Sequence, residues 1–147
     1  MSSPRNFVVY NTWTRSLETL KPLTPGHIGI YCCGPTVYAY IHIGNCRPAL
    51  TLDLIVRCLR DLDFSPKVAR NYTDIDDKII AKAEQTGQSI EQVASTFITS
   101  YQEDMARLNC KQPQIEPKVT THIPEIISFI EELIKSGHAY VANGDVY

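Results

Sequence analysis

Short apolar runs alternate along this chain with stretches whose apolar residues recur every three or four positions. Ile28-Gly-Ile-Tyr-Cys-Cys33 is a compact apolar run, which predicts a buried strand stopping at Gly34-Pro35. Past a short loop, Leu52, Ile55, Val56, Leu59 and Leu62 share one face of a helix that has Pro48 near its start. Lys67-Val-Ala-Arg-Asn71 reads as a second strand. Strand, crossover helix and strand within about 45 residues make a βαβ unit, which requires parallel strands and a right-handed crossover.

The remaining pattern is mostly helical. Before the βαβ unit, Phe7 to Trp13 alternates loosely, as a short strand or extended arm, and Lys21-Pro22 with Pro25-Gly26 punctuate a loop. After it, Asp74 to Gln85 predicts a helix with Asp74, Asp76 and Asp77 in its first turn and Gly87 as its stop. Ser89 and Gln92 form a capping-box pair, opening a helix whose apolar stripe is Val93, Phe97, Tyr101, Met105 and Leu108. Pro113 and Pro117 mark a loop. A last helix is expected over 123–135, with Ile126, Ile127, Ile130, Leu133 and Ile134 inward and Gly137 just past its end. Ala139–Ala142, Asn143-Gly144 and Asp145–Tyr147 then predict a hairpin with a type I′ turn, whose three-residue return suggests an interrupted element.

Composition narrows the class. An apolar content of 44% argues against disorder, and 147 residues suffice for one domain, two at most, without disulfides or metal as a folding aid. A net charge of −2 lacks the basic excess typical of compact nucleic-acid-binding domains, so any RNA partner must rest on a motif. The N-terminal stretch, Met1 to Trp13, has no signal-peptide pattern, and no apolar run approaches the roughly 20 residues of a membrane span. Five cysteines, two of them adjacent at 32 and 33, suit free thiols in a reducing, cytoplasmic setting better than a disulfide framework. No Cys-x-x-Cys or His-x-x-x-His pair offers a complete zinc site.

Chemistry concentrates in Tyr31-Cys-Cys-Gly-Pro-Thr-Val-Tyr-Ala-Tyr-Ile-His-Ile-Gly-Asn45, between the first core strand and the following helix. That is the carboxyl edge of a parallel sheet, where open α/β sheets bind ligands. Gly44 allows a phosphate to approach the backbone, and the helix N-terminus offers free N–H groups and a positive dipole end. His42 and Asn45, one turn apart, can both donate to phosphate oxygens. The bland readings differ by residue. Cys32 alternates to the opposite face and suits core packing, as do Cys46, Cys58 and Cys110. His27, His122 and His138 read as surface or capping groups. The Asp74, Asp76, Asp77 trio reads as dipole partners of a helix rather than a magnesium site. Trp13, Tyr38 and Tyr40 are candidates to pack around the site, with nothing to single out one.

His42-Ile43-Gly44-Asn45 resembles the HIGH signature of class I aminoacyl-tRNA synthetases. Cys33-Gly34-Pro35-Thr36-Val37-Tyr38 before it and Asn71-Tyr72-Thr73-Asp74-Ile75-Asp76-Asp77-Lys78 after it narrow the resemblance to the cysteinyl-tRNA synthetase family. Tyr10-Asn11-Thr12 and Gly144-Asp145-Val146-Tyr147 fit the same family, so the resemblance covers essentially the whole chain.

The resemblance implies a Rossmann-like α/β parallel sheet, the N-terminal half of a class I catalytic domain over residues 1–120, with a connective insertion beginning at 121–147. It implies activation of cysteine with ATP and magnesium, then transfer to tRNA(Cys), by a cytoplasmic, monomeric enzyme. Cys33 matches the first ligand of the family's zinc. Gly34, Thr36 and Thr73, with Cys33, match the cysteine pocket, and Thr36, His42, Gly44 and Asn45 the ATP site. His42 and Asn45 take the catalytic role of stabilising α-phosphate charge. Two departures stand out: Asn45 replaces the usual His, and Ala39 stands where many members carry an acidic or amide residue. The remaining zinc ligands, the KMSKS loop and the anticodon-binding helices fall beyond residue 147, so the chain by itself is expected to be inactive. Two rivals remain: a cysteine ligase acting on an amino-sugar, and a non-catalytic truncated paralogue that binds a nucleotide or a protein partner.

Overall fold

Two strands, Val8–Asn11 (β1) and Ser16–Thr19 (β2), open the chain as an antiparallel hairpin turned at residues 12–15, with Arg15 at φ 54°. The structure is a computed structural model describing residues 6–147. Met1–Arg5, where the N-terminal stretch read for a signal peptide begins, lie outside the described residues. The expected arm is thus half of a hairpin. Its return strand, Ser-Leu-Glu-Thr, carries one apolar residue in four and gives periodicity nothing to detect.

The expected βαβ unit is present. His27–Cys32 (β3), helix Ile43–Asp61 (α1) and Ser65–Arg70 (β4) follow in order, and β3 pairs with β4 in parallel from His27 opposite Ser65 to Cys32 opposite Arg70. Isolated parallel bridges extend the pairing, Thr36 to Thr73 past the ends of β3 and β4, and Ala69 to Ile115 and Tyr72 to Lys118 on the other side of β4. The segment after residue 112 therefore lies along the far edge of β4.

α1 begins five residues before Pro48, because His42 caps it. Its buried residues, Cys46, Ala49, Leu52, Val56 and Leu59, follow the expected stripe, while Ile55 and Leu62 are only partly covered. Leu52 and Val56 pack on Val68, with Ile30 and Cys32 of β3 against them. β3 is not fully buried. Ile28 is covered, but His27, Gly29 and Tyr31 on the other face are exposed, because α1 covers only one side of the sheet.

Helices Asp77–Thr86 (α2) and Ile90–Arg107 (α3) close the larger core. It joins Ile79 and Ala83 of α2 to Val93, Ala94, Ile98, Tyr101 and Met105 of α3, and to Val37, Cys46 and Tyr72 from the βαβ unit. Gly87, at φ 66°, ends α2 in the left-handed conformation expected of a helix stop. Ser89 and Gln92 make the expected capping box of α3, Oγ of Ser89 accepting from the Gln92 N–H at 3.1 Å and the Ser89 N–H donating to Oε1 of Gln92 at 2.9 Å. Phe97 packs on this core, but Leu108 lies past the end of α3 and is 37% exposed.

Three expectations need correction. Only Asp77 lies in the first turn of α2. Asp76 is its N-cap, accepting from the Lys78 N–H at 2.9 Å, and Asp74 is buried outside the helix, where it accepts from the Thr120 N–H at 3.1 Å. Helix Ile123–Lys135 (α4) matches its expected bounds but buries none of its residues: Ile126 and Ile127 are exposed, and no extended packing with another described helix or strand covers them. Cys58 is exposed, on the outer side of α1, rather than packed. His27, His122 and His138 are exposed, as expected. The final hairpin, Val141–Ala142 (β5) and Asp145–Val146 (β6), turns at Asn143 and Gly144 with φ of 54° and 89°, as a type I′ turn requires.

Candidate active site

The carboxyl ends of β3 and β4 are laced together. Val37 N–H donates to the Thr73 carbonyl at 3.2 Å and Thr73 N–H to the Pro35 carbonyl at 3.1 Å. Four of the expected site residues, Cys33, Gly34, Thr36 and Thr73, meet along this seam. Asn71, which follows β4 directly, organises it. Its Oδ1 accepts from the Gly34 N–H at 2.9 Å and from the Tyr31 hydroxyl at 3.0 Å, and its Nδ2 donates to Oγ1 of Thr73 at 3.4 Å. No role was assigned to Asn71 from sequence. The available signal was a polar residue closing the expected strand 67–71, which in the structure ends at Arg70 and leaves Asn71 just past it.

Cys33 is exposed, and its thiol makes one weak hydrogen bond, donating to the Gly34 carbonyl at 3.8 Å. Cys32 alternates onto the α1 side, where burial pushes its thiol up from the ordinary value. An accessible sulfur held by one weak bond suits Cys33 to a single place in a metal site. Among the described residues no group of three or more His, Cys, Asp or Glu is placed to hold a metal ion, so a complete ligand set is not assembled here.

His42, Gly44 and Asn45 form the N-terminus of α1 in a reciprocal cap. Gly44 N–H donates to Nδ1 of His42 at 3.0 Å, and His42 N–H donates to Oδ1 of Asn45 at 3.1 Å. Since Nδ1 accepts, the neutral ring carries its proton on Nε2. The Asn45 amide nitrogen likewise has no partner among the described residues. The expectation of free helix N–H groups is therefore only partly met: Gly44 and Asn45 spend theirs on His42, the latter on its carbonyl at 2.8 Å. What the cap presents instead is two side-chain donors. Gly44 has a steric role too, because a Cβ there would stand 2.8 Å from Cε1 of His42 and displace the ring.

A groove runs between the end of β3 and the first turns of α1. Tyr31 and Cys32 at the end of β3 and Gly44, Arg47, Pro48 and Thr51 of α1 line it together. Pro48 has no N–H, so the Gly44 carbonyl lacks its helical donor and remains available there. Arg47 was not anticipated; it brings a positive charge to the groove. Of the three aromatic candidates, Tyr38 packs on the core under the Lys78 ammonium, 5.2 Å from its ring centre. Tyr40 meets Phe97 edge-on at 5.3 Å, and Trp13 is exposed at the hairpin turn.

Residues 19–147 match the family of tRNA synthetases class I (C), catalytic domain, a stretch that contains every residue of this site. The chain belongs to the class I (C) tRNA synthetases. Relatives within this class I group include the cysteine–tRNA ligase of Idiomarina loihiensis, 50% identical over 139 residues, which is 94% of this chain and 30% of that protein. The cysteine–tRNA ligase of Geobacillus thermodenitrificans is 48% identical over all 147 residues and 31% of its own length. That of Bacillus pumilus is 46% identical over 139 residues, 95% of this chain and 30% of that protein. The chain thus spans about 30% of the length of the relatives it matches. No described helix is long and apolar enough to cross a membrane.

Proposed function

We propose that this chain forms the first part of the catalytic domain of a cysteine–tRNA ligase, which joins cysteine to ATP as cysteinyl-adenylate and transfers it to tRNA(Cys). The observation that carries the reading is the reciprocal cap of His42 and Asn45 at the N-terminus of α1, beside a groove that Gly44 lines together with Tyr31 and Cys32 at the end of β3. In the activation step a cysteine carboxylate oxygen attacks the α-phosphorus of magnesium-bound ATP. The bond to the bridging oxygen breaks and pyrophosphate leaves. Charge grows on the α-phosphate oxygens as this happens, and Nε2–H of His42 and Nδ2–H of Asn45 are donors aimed at such charge from the positive end of α1. Asn45 serves by hydrogen bonding alone and carries no charge in either role. Such catalysis needs positioning and electrostatics, with no covalent nucleophile.

Cys33, Gly34, Thr36 and Thr73 form the amino-acid side of the site, and Thr36 and Gly44 also face the ATP. Cys33 is one ligand of a zinc ion whose other ligands lie outside this chain. When bound, that zinc supplies a soft cation that takes the substrate thiolate and rejects serine. The parallel pair β3–β4 is the beginning of a Rossmann-like sheet. Residues 1–120 belong to that half-domain and 121–147 to the start of an insertion, in a monomeric, cytoplasmic enzyme. The names of the relatives favour the tRNA ligase, and no observation favours an amino-sugar acceptor or a non-catalytic role.

The test is cysteine-dependent ATP–pyrophosphate exchange. The whole enzyme is expected to show it, and His42→Ala to lower it by about 10²- to 10³-fold. The 147-residue chain by itself is expected to show none; exchange by that chain would mean the rest of the relatives' length is dispensable for activation.

A further inference from the structure

We infer that Asn71 is the positioning residue that sets the Cys33–Gly34 turn and Thr73 for the amino acid, an inference that rests on the function proposed above. Three bonds converge on its side chain from both parts of the seam: Gly34 N–H and Tyr31 hydroxyl on Oδ1, and Nδ2 on Thr73. Its backbone contributes as well. A Cβ at residue 34 would fall 1.5 Å from the Asn71 carbonyl oxygen, so Gly34 rests directly on the Asn71 peptide. The next residue back, Arg70, holds this end of β4 rigid. It is 4% exposed, pairs with Glu116 at 3.3 Å and lies over the Tyr101 ring at 5.1 Å, and its Cγ is the third neighbour of that Cβ position. A rigid strand end thus presents one side chain that dictates where the turn after β3 passes. Asn71 itself is assigned no contact with substrate; it acts through Gly34, Cys33 and Thr73.

Because the clamp serves the amino-acid side and not the helix cap, its loss should separate the two substrates. In the whole enzyme, Asn71→Ser shortens the side chain beyond reach of Gly34 and should raise KM for cysteine in pyrophosphate exchange about tenfold, with KM for ATP within about twofold. Asn71→Asp keeps the Oδ1 acceptor and should restore KM for cysteine to within about threefold of the unsubstituted enzyme. Amide hydrogen exchange gives an independent reading. Gly34 N–H should be protected in the unsubstituted protein and exchange about tenfold faster in Asn71→Ser, with the Ile79 amide unchanged. An unprotected Gly34 amide in the unsubstituted protein overturns the clamp, whether or not any variant folds. Equal rises in both KM values, or an Asn71→Asp variant as impaired as Asn71→Ser, overturn the positioning role. If the unsubstituted enzyme shows no cysteine-dependent exchange, the functional reading falls alone, since Gly34 protection reads the clamp without it.

Discussion

A Cβ on residue 34 would collide with the Asn71 carbonyl at 1.5 Å and approach Cγ of Arg70 at 3.3 Å, and neither neighbour sits at the loose end of a flexible chain. Gly34→Ala is therefore expected to destabilise the fold by about 1–3 kcal/mol, measured by denaturant unfolding, because the turn must move off β4. His42 presents a different problem, since one side chain both caps α1 and offers Nε2 to a ligand. Replacing it by Ala should cost about 1 kcal/mol of stability as well as activity. His42→Ser separates the two: its hydroxyl can still cap, so unfolding should return to near the original midpoint while pyrophosphate exchange stays low. An exchange rate that recovers with stability would mean that His42 serves the cap alone. That His42 and Asn45 stand together at the start of α1 was legible from their spacing. The role of Asn71 was not, because a polar residue at a strand end is common and only its bonds to Tyr31 and Gly34, about 40 residues away in sequence, distinguish it.

Among the elements, the end of β4 joins the sheet to α3 and to the segment after residue 112 through one polar cluster. The Tyr72 hydroxyl donates to Oε1 of Glu116 at 2.8 Å, and Arg70 pairs with the same oxygen. Burial first, then the Glu116 carboxylate as hydrogen-bond acceptor and negative neighbour, drive the Tyr72 hydroxyl well above its ordinary value of 10.0. The sign follows. A phenol whose folded-state value is raised stabilises fully below the unfolded value, and this contribution drains away as pH rises above about 10. Tyr72→Phe should cost about 1 kcal/mol at pH 8, and the gap between the two proteins should narrow toward pH 11 in thermal or urea unfolding. A gap that widens at high pH would contradict this assignment. Periodicity predicted α3 and its capping box, but not this cluster. Glu116 reaches β4 across 46 residues of sequence, and Asp74 likewise finds Thr120 rather than a helix N-terminus.

Over the whole molecule, stability resides in two clusters while one helix stands outside both. Leu59 at 1% exposure and Ile79 at 0% lie in the interior, whereas Ile127 is 52% exposed. Ile79→Ala should therefore cost about 2–5 kcal/mol, but Ile127→Ser no more than about 0.5 kcal/mol in this chain. Paired unfolding curves of the two variants check it, and equal losses would show that α4 is packed after all. The two faces of β3 differ in the same way: Ile28 and Ile30 turn toward α1, while His27, Gly29 and Tyr31 on the outer face are exposed.

The amino-acid sequence by itself determined the local order: the parallel βαβ unit, three further helices with the Ser89–Gln92 capping box and the Gly87 stop, the closing type I′ hairpin and the signature that joins His42 to Asn45. These follow from spacing, capping chemistry and turn residues, which act over a few positions. Tertiary structure alone decided which apolar faces are covered, where Asp74 and Glu116 find partners, and that Asn71 binds both the Cys33–Gly34 turn and Thr73. Those outcomes depend on what lies opposite a side chain in space, and periodicity along one segment carries no record of its neighbours.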